Sequence, residues 1–194
     1  MILSHAVVAR IALALFVAAL GFTPAARAVT VVLDYNSASV KDFLTAPYVE
    51  NGITTTVDAG HYEVLADPTA ADGDRAFNLD EQNLGLSKVT LTASGGIPFD
   101  ALSLDVINPA DSAGEYTISA VGGGGGSIPA PTVAGPLLFT PAFAGISALV
   151  ITQNAPGSFT FDDLTVRSLP EPSATASLLT AGLVVFALYR RRAV

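Results

Sequence analysis

The chain has 194 residues, 51% of them hydrophobic, with 9 Lys and Arg, 17 Asp and Glu, two His and no Cys. The lack of cysteine excludes disulfides, thiol catalysis and Cys-based zinc sites. Charge is concentrated in residues 29–169, where Lys41, Arg75, Lys88 and Arg167 (+4) face 16 Asp and Glu (−16), a balance of −12 that argues against nucleic acid and anionic membrane surfaces as partners of that stretch.

At the N-terminus Arg10 precedes an apolar run from Ile11 to Leu20, which Gly21 and Pro24 break, and Ala26-Arg27-Ala28 fits a small-x-small cleavage site. Residues 1–28 are expected to form a signal helix engaged by the Sec export machinery. Ala26 and Ala28 are its cleavage residues, and an uncleaved anchor is the alternative.

The mature stretch reads as strands and turns. Strands are expected at 29–35, 52–57, 62–65, 87–92, 102–107, 115–121, 137–140, 148–152 and 159–167. Several alternate cleanly: Leu102, Leu104 and Val106 with Ser103 and Asp105, and Tyr116, Ile118 and Ala120 with Thr117 and Ser119. One face is apolar and the other wet, as in antiparallel sheets packed face to face. The exception is a two-turn helix expected at 37–44. Gly122–Gly126 reads as an exposed loop, and the Asp67, Asp72, Asp74, Asp80 and Glu81 cluster as a solvated one. The expected fold is one all-β domain over 29–166, an antiparallel β-sandwich of jelly-roll kind, with a barrel as alternative.

Residues 167–172 form a short linker in which Pro170 and Pro172 forbid helix. From Pro172 to Tyr189 there are 18 residues without a charge. As a helix they would reach about 27 Å, close to the hydrocarbon thickness of a bilayer. A transmembrane helix is expected over 173–189, with Arg190, Arg191 and Arg192 as a stop on the cytoplasmic side.

Candidate chemistry is sparse. His61 is the only histidine after residue 28, so a multi-histidine metal site is not available, and no G-x-S-x-G surrounds any serine. Sugar binding uses aromatic faces beside planar polar groups. Tyr48 and Tyr62 are the expected exposed candidates, whereas Tyr116 alternates with core residues.

Pro170-Glu171-Pro172, the apolar helix and the terminal arginine cluster together resemble the PEP-CTERM sorting domain over residues 169–192. The resemblance implies a bacterial exported protein whose tail passes through the inner membrane. It implies an exosortase-type processing enzyme as partner, and delivery to the cell surface or the extracellular space in connection with exopolysaccharide and biofilm. Phe99-Asp100-Ala101-Leu102-Ser103-Leu104-Asp105-Val106 and Phe159-Thr160-Phe161-Asp162-Asp163-Leu164-Thr165-Val166 resemble galactose-binding-like jelly rolls. That second resemblance implies carbohydrate affinity and a structural calcium, with a ligand at Asp162 or Asp163 and Asp34 as a possible partner across the fold. Neighbouring strand residues point to opposite faces, so only one of Asp162 and Asp163 is expected to point inward unless a bulge intervenes. A non-catalytic matrix component is the expected role. A calcium-stabilised carbohydrate-binding module and a secreted glycan-active enzyme are the competing readings.

Overall fold

Period-two alternation puts apolar side chains on one face of most strands, and two such faces close on each other. The computed structural model describes residues 28–38, 41–42, 47–66, 75–80 and 85–168. The signal run with Ala26, the Pro170-Glu171-Pro172 motif, the 173–189 span and Arg190–Arg192 lie outside the described residues. Among the described residues, no helix is long and apolar enough to cross a membrane.

The strands in chain order are β1 (Val29–Leu33), β2 (Lys41–Asp42), β3 (Tyr48–Glu50), β4 (Ile53–Ala59), β5 (His61–Ala66), β6 (Arg75–Asp80), β7 (Lys88–Ala93), β8 (Phe99–Asn108), β9 (Tyr116–Val121), β10 (Ser127–Pro129), β11 (Gly135–Leu138), β12 (Ala148–Gln153) and β13 (Phe159–Ser168). Among the described residues they form two antiparallel sheets. One runs β11-β8-β13-β6-β5-β2 with β1 also on β13, and the other β10-β9-β12-β7-β4-β3. The inner faces share one hydrophobic core. Leu33, Phe77, Leu104, Phe161, Leu164 and Val166 come from the first sheet, and Val89, Leu91, Ile118, Leu149 and Ile151 from the second, all 0% exposed. Each such side chain contributes about 1.5–3 kcal/mol by leaving water. The architecture is an all-β sandwich.

An aromatic chain threads this core. Tyr48 stacks on Tyr35 at 5.6 Å, Tyr35 packs on Phe77 at 5.1 Å, and Phe77 continues through Phe161 and Phe159 to Tyr116. Beyond area burial, such ring pairs add about 0.5–1.5 kcal/mol each.

Strand β13 organises the first sheet. One edge pairs with β8; the other takes β6 at Phe159–Phe161 and β1 at Leu164–Ser168. The register shifts between Asp162 and Thr165, and Asp163 has φ 47°, a left-handed conformation that Asp tolerates better than most residues. This irregularity solves a parity problem. Phe161 and Leu164 are three apart, yet both are buried, which strict alternation forbids.

Nine expected strands are present with shifted ends. Four were not foreseen. β3 is joined to β4 by Asn51-Gly52, whose φ values of 47° and 78° mark a two-residue hairpin turn with both central residues left-handed. β6 falls where a solvated acidic loop was expected. Its Ala76, Phe77, Asn78 and Leu79 are all buried, with Phe77 and Leu79 in the core. The helix expected at 37–44 is corrected: Lys41–Asp42 pair with Val64 and Glu63 as a strand. The glycine run is the expected exposed loop, between β9 and β10, and it packs closely on a neighbour. Gly126 N donates to Ala142 O, and a Cβ on Gly124 would lie 2.9 Å from Ala142 while one on Gly123 would meet Ala144 O. The run is pressed onto the turn around Pro141–Phe143, and close approach is what requires glycine there.

Candidate functional site

The turn after β1 gathers the most polar chemistry. Asp34 Oδ1 accepts from Asn36 N at 3.0 Å, and Ala38 N donates to Tyr35 O at 2.9 Å. Between them Tyr35 has φ 54°, and its ring turns fully into the core. That conformation is uncommon for a bulky residue, and a partner from β3 holds it: Tyr35 N donates to Glu50 Oε2 at 2.9 Å. The hairpin is tied back to β1 by Asn51 Nδ2, which donates to Val32 O at 2.6 Å.

On the solvent side the hydroxyls of Ser37 and Tyr48 lie 2.7 Å apart, and Ser37 Oγ donates to Glu50 Oε1 at 3.4 Å. The Asp34 charge also acts on Glu50. Partial burial, with Asp34 adding to it, pushes the Glu50 carboxyl above its ordinary value although the Tyr35 amide opposes the shift. Tyr48 is raised too, by burial first and by the Glu50 charge among the lesser causes. Tyr35 is raised by burial, with Asp162 among the charges that add to the effect.

Asp34 and Tyr48, singled out for different reasons, thus belong to one cluster, and Asp162 lies within electrostatic reach of it through Tyr35. Asp162 is 3% exposed, while Asp163 faces solvent on the far side of the bulge. Among the described residues no three His, Cys, Asp or Glu side chains come together as a metal site. Asp34, Asp162 and Asp163 therefore do not form a three-carboxylate group there.

Tyr62 requires a correction. It is 5% exposed and stacks on Phe77 at 5.0 Å and 9°, so its ring face is covered by the core instead of open to a sugar. Tyr116 is buried as expected, its hydroxyl 3.0 Å from Leu79 O and 2.7 Å from Gly157 O.

Glu50 is the member that sequence reading missed. The signal was present in Tyr48-Val49-Glu50-Asn51-Gly52, where an Asn-Gly turn fixes a hairpin and sends Tyr48 and Glu50 to the same side of β3. A second polar group crosses the first sheet in register: Thr160 Oγ1 donates to Asn78 Oδ1 at 2.7 Å, and Asn78 Nδ2 to Glu63 Oε1 at 3.0 Å. Asn78 and Thr160 are 3% and 4% exposed, so this row satisfies buried polar groups and is not an open binding face. Chemically, the Asp34–Ser37–Tyr48–Glu50 cluster offers acidic acceptors and hydroxyls beside a partly exposed ring. No family model, curated protein or solved structure matches this chain.

Proposed function

We propose that the chain is an exported bacterial surface or matrix protein, delivered through the Pro170-Glu171-Pro172, 173–189 and Arg190–Arg192 tail and acting without catalysis in association with exopolysaccharide. The carrying observation is the order of that tail, with a signal-type segment at the opposite end of the chain. The paired strands support it: the first begins at Val29, next to the expected cleavage residue Ala28, and the last ends at Ser168, two residues before Pro170. The sandwich is read as jelly-roll-like, in keeping with the resemblance to galactose-binding-like domains.

The test is maturation in an exosortase-bearing host. Replacing Pro170-Glu171-Pro172 by alanines, or deleting Arg190–Arg192, leaves a membrane-bound precursor. Normal release of both variants refutes the reading. The Tyr48 cluster favours a second reading, a glycan-binding module. It predicts retention of residues 29–168 on an exopolysaccharide column that Tyr48→Ala abolishes and Tyr62→Ala does not abolish through a lost contact.

A further inference from the structure

We infer that the solvent face of the second sheet is a docking surface for an uncharged polysaccharide chain. This rests on the exopolysaccharide reading above and deepens it, by naming the class of polymer and the surface that holds it. In that sheet Ile53, Val89, Leu91, Ile118, Leu149 and Ile151 point into the core, so the residues between them point away from it. Thr54, Thr56, Thr90, Thr92, Thr117 and Thr152 are among those, each partly open to solvent. The strand register lines them up. Thr54 lies opposite Thr92, Thr56 opposite Thr90, Thr152 opposite Thr117 and Ser127 opposite Ser119. Val150 sits between Thr90 and Ser119, which completes one row from Thr56 on β4 to Ser127 on β10.

This face is neutral although residues 29–169 carry a net −12. In the first sheet β5, β6, β8 and β13 all carry Asp, Glu, Lys or Arg, whereas β9, β10 and β12 of the second carry none. Glu50 on β3 turns to the Tyr35 amide. Lys88 and Asp58 lie at one margin of the face and pair with each other at 3.5 Å. The two sheets also spend their hydroxyls differently. On the first, Thr160 is buried and bonded to Asn78. On the second, Thr54, Thr56, Thr92 and Thr152 make no side-chain hydrogen bond among the described residues, and Ser119 and Ser127 share one at 3.1 Å.

Size and charge select the occupant. From β4 to β10 the face spans four strand spacings of ~4.8 Å and up to three outward residues per strand at ~6.8 Å, which is about 19 Å by 14 Å or roughly 270 Å². A stable protein partner covers about 800 Å² on each side. The face is too small for a second copy and long enough for an extended chain. Threonine holds a hydroxyl beside a methyl group in few rotamers. A neutral sugar chain offers the complement, hydroxyls alternating with C–H edges at a repeat near the strand spacing. An anionic polymer comes within the Debye length of about 10 Å of a domain charged −12 and is repelled, whereas a neutral one meets hydroxyls and methyl groups alone. Hydrogen bonds that compete with water are individually weak, so retention grows with the length of the polymer.

The test applies the full chain, in detergent micelles at about 0.1 M salt, to immobilised amorphous cellulose, β-1,3-glucan and dextran as neutral probes and to alginate as the anionic one. Retention is expected on at least one neutral polymer and not on alginate. Ser119→Glu, and Thr56→Val combined with Thr92→Val, are each expected to weaken it several-fold. Thr132→Glu, in the exposed β10–β11 connection, is expected to leave it unchanged. Wild-type retention of both face variants overturns the assignment of this face and leaves the association with polysaccharide standing. So does a loss confined to Tyr48→Ala, which moves the glycan to the Tyr48 cluster. Stronger retention on alginate overturns the neutral class. No retention on any of the four polymers overturns both the face and the association, while the sorting tail is judged separately by maturation. A dimer in sedimentation that Ser119→Glu dissolves gives the face to a second copy and overturns the inference. One face variant adds a charge and the other removes hydroxyls, and each is checked for the wild-type urea midpoint, so misfolding of one leaves the other to decide.

Discussion

Glu50 shows how one side chain can serve geometry at an electrostatic cost. It accepts the Tyr35 amide that fixes a left-handed turn, yet it sits partly buried beside Asp34. Its folded-state carboxyl is raised above the ordinary 4.5, so the fold favours the protonated form. The stabilisation is complete below the unfolded-state value and is lost as pH climbs through the higher folded one. Glu50→Gln keeps an acceptor for Tyr35 N and removes the titration. The urea midpoint of the variant is expected to fall less than that of the wild type between pH 4 and pH 7, with the gap opening above pH 4.5; parallel profiles would refute this. Gly157 makes a steric case. A Cβ there would land on the Glu115 carboxylate, which is 3% exposed and accepts from Ser112 N at 3.0 Å. Gly157→Ala should cost about 1–3 kcal/mol, the usual penalty of overpacking. The cost should shrink in a Glu115→Ala background, since residues in contact are non-additive. Denaturant melts of the two single variants and the double variant check it.

At the scale of elements, β10 and β11 end their sheets and expose an edge each among the described residues. Phe139 N donates to Leu102 O, so Leu137 also faces β8 while positions 136 and 138 face outward; Ala130 N donates to Tyr116 O, which turns 129 outward by the same count. Position 127 faces outward too, so two of the four outward positions, 136 and 129, are proline and the other two are Leu138 and Ser127. Neither proline has an N–H to offer another strand, which is how edges are kept from pairing with further copies. Leu138, 74% exposed beside Pro136, makes that protection necessary. Pro136→Val is expected to raise light scattering on concentration while leaving the monomer's melting temperature within a few degrees; unchanged scattering would count against the argument. The same scale explains what the sequence could disclose. β9 and β12 were readable because one face is dry and the other wet. β6 was not, because its alternation of Phe77 and Leu79 with Asn78 and Asp80 is short and lies among the acids Asp67, Asp72, Asp74 and Glu81, while the partners that satisfy Asn78 (Ser158, Thr160 and Glu63) are 80, 82 and 15 residues away. Asp34 and Tyr48 were identifiable by residue type. Their union was not, because it depends on a left-handed Tyr35 and on a two-residue turn that places Glu50 between them.

At the scale of the whole molecule, the last strand is also the closure of the domain. Leu164 and Val166 are fully buried, Arg167 carries the ion pair to Asp100, and Leu164–Ser168 form the only pairing of β1 among the described residues. Burial of the two aliphatic side chains contributes about 3–6 kcal/mol together. Freeing β1 adds the loss of Leu33 from the core, another ~2 kcal/mol. A domain of this size has a net stability of only about 5–15 kcal/mol. Residues 29–168 are therefore expected to unfold in one cooperative urea transition without either terminal segment, whereas residues 29–163 are expected to show no cooperative transition. Arg167→Ala separates packing from pairing, because it keeps both aliphatics and β1 while leaving Asp100, 4% exposed, without its cation. Breaking a buried pair from one side costs about 3–5 kcal/mol, and partial solvent access to Arg167 lowers that figure. The variant should lower the midpoint and keep cooperativity. A cooperative 29–163 would show that the sandwich closes without its final strand, and that the junction of its two ends is an attachment point and not a keystone.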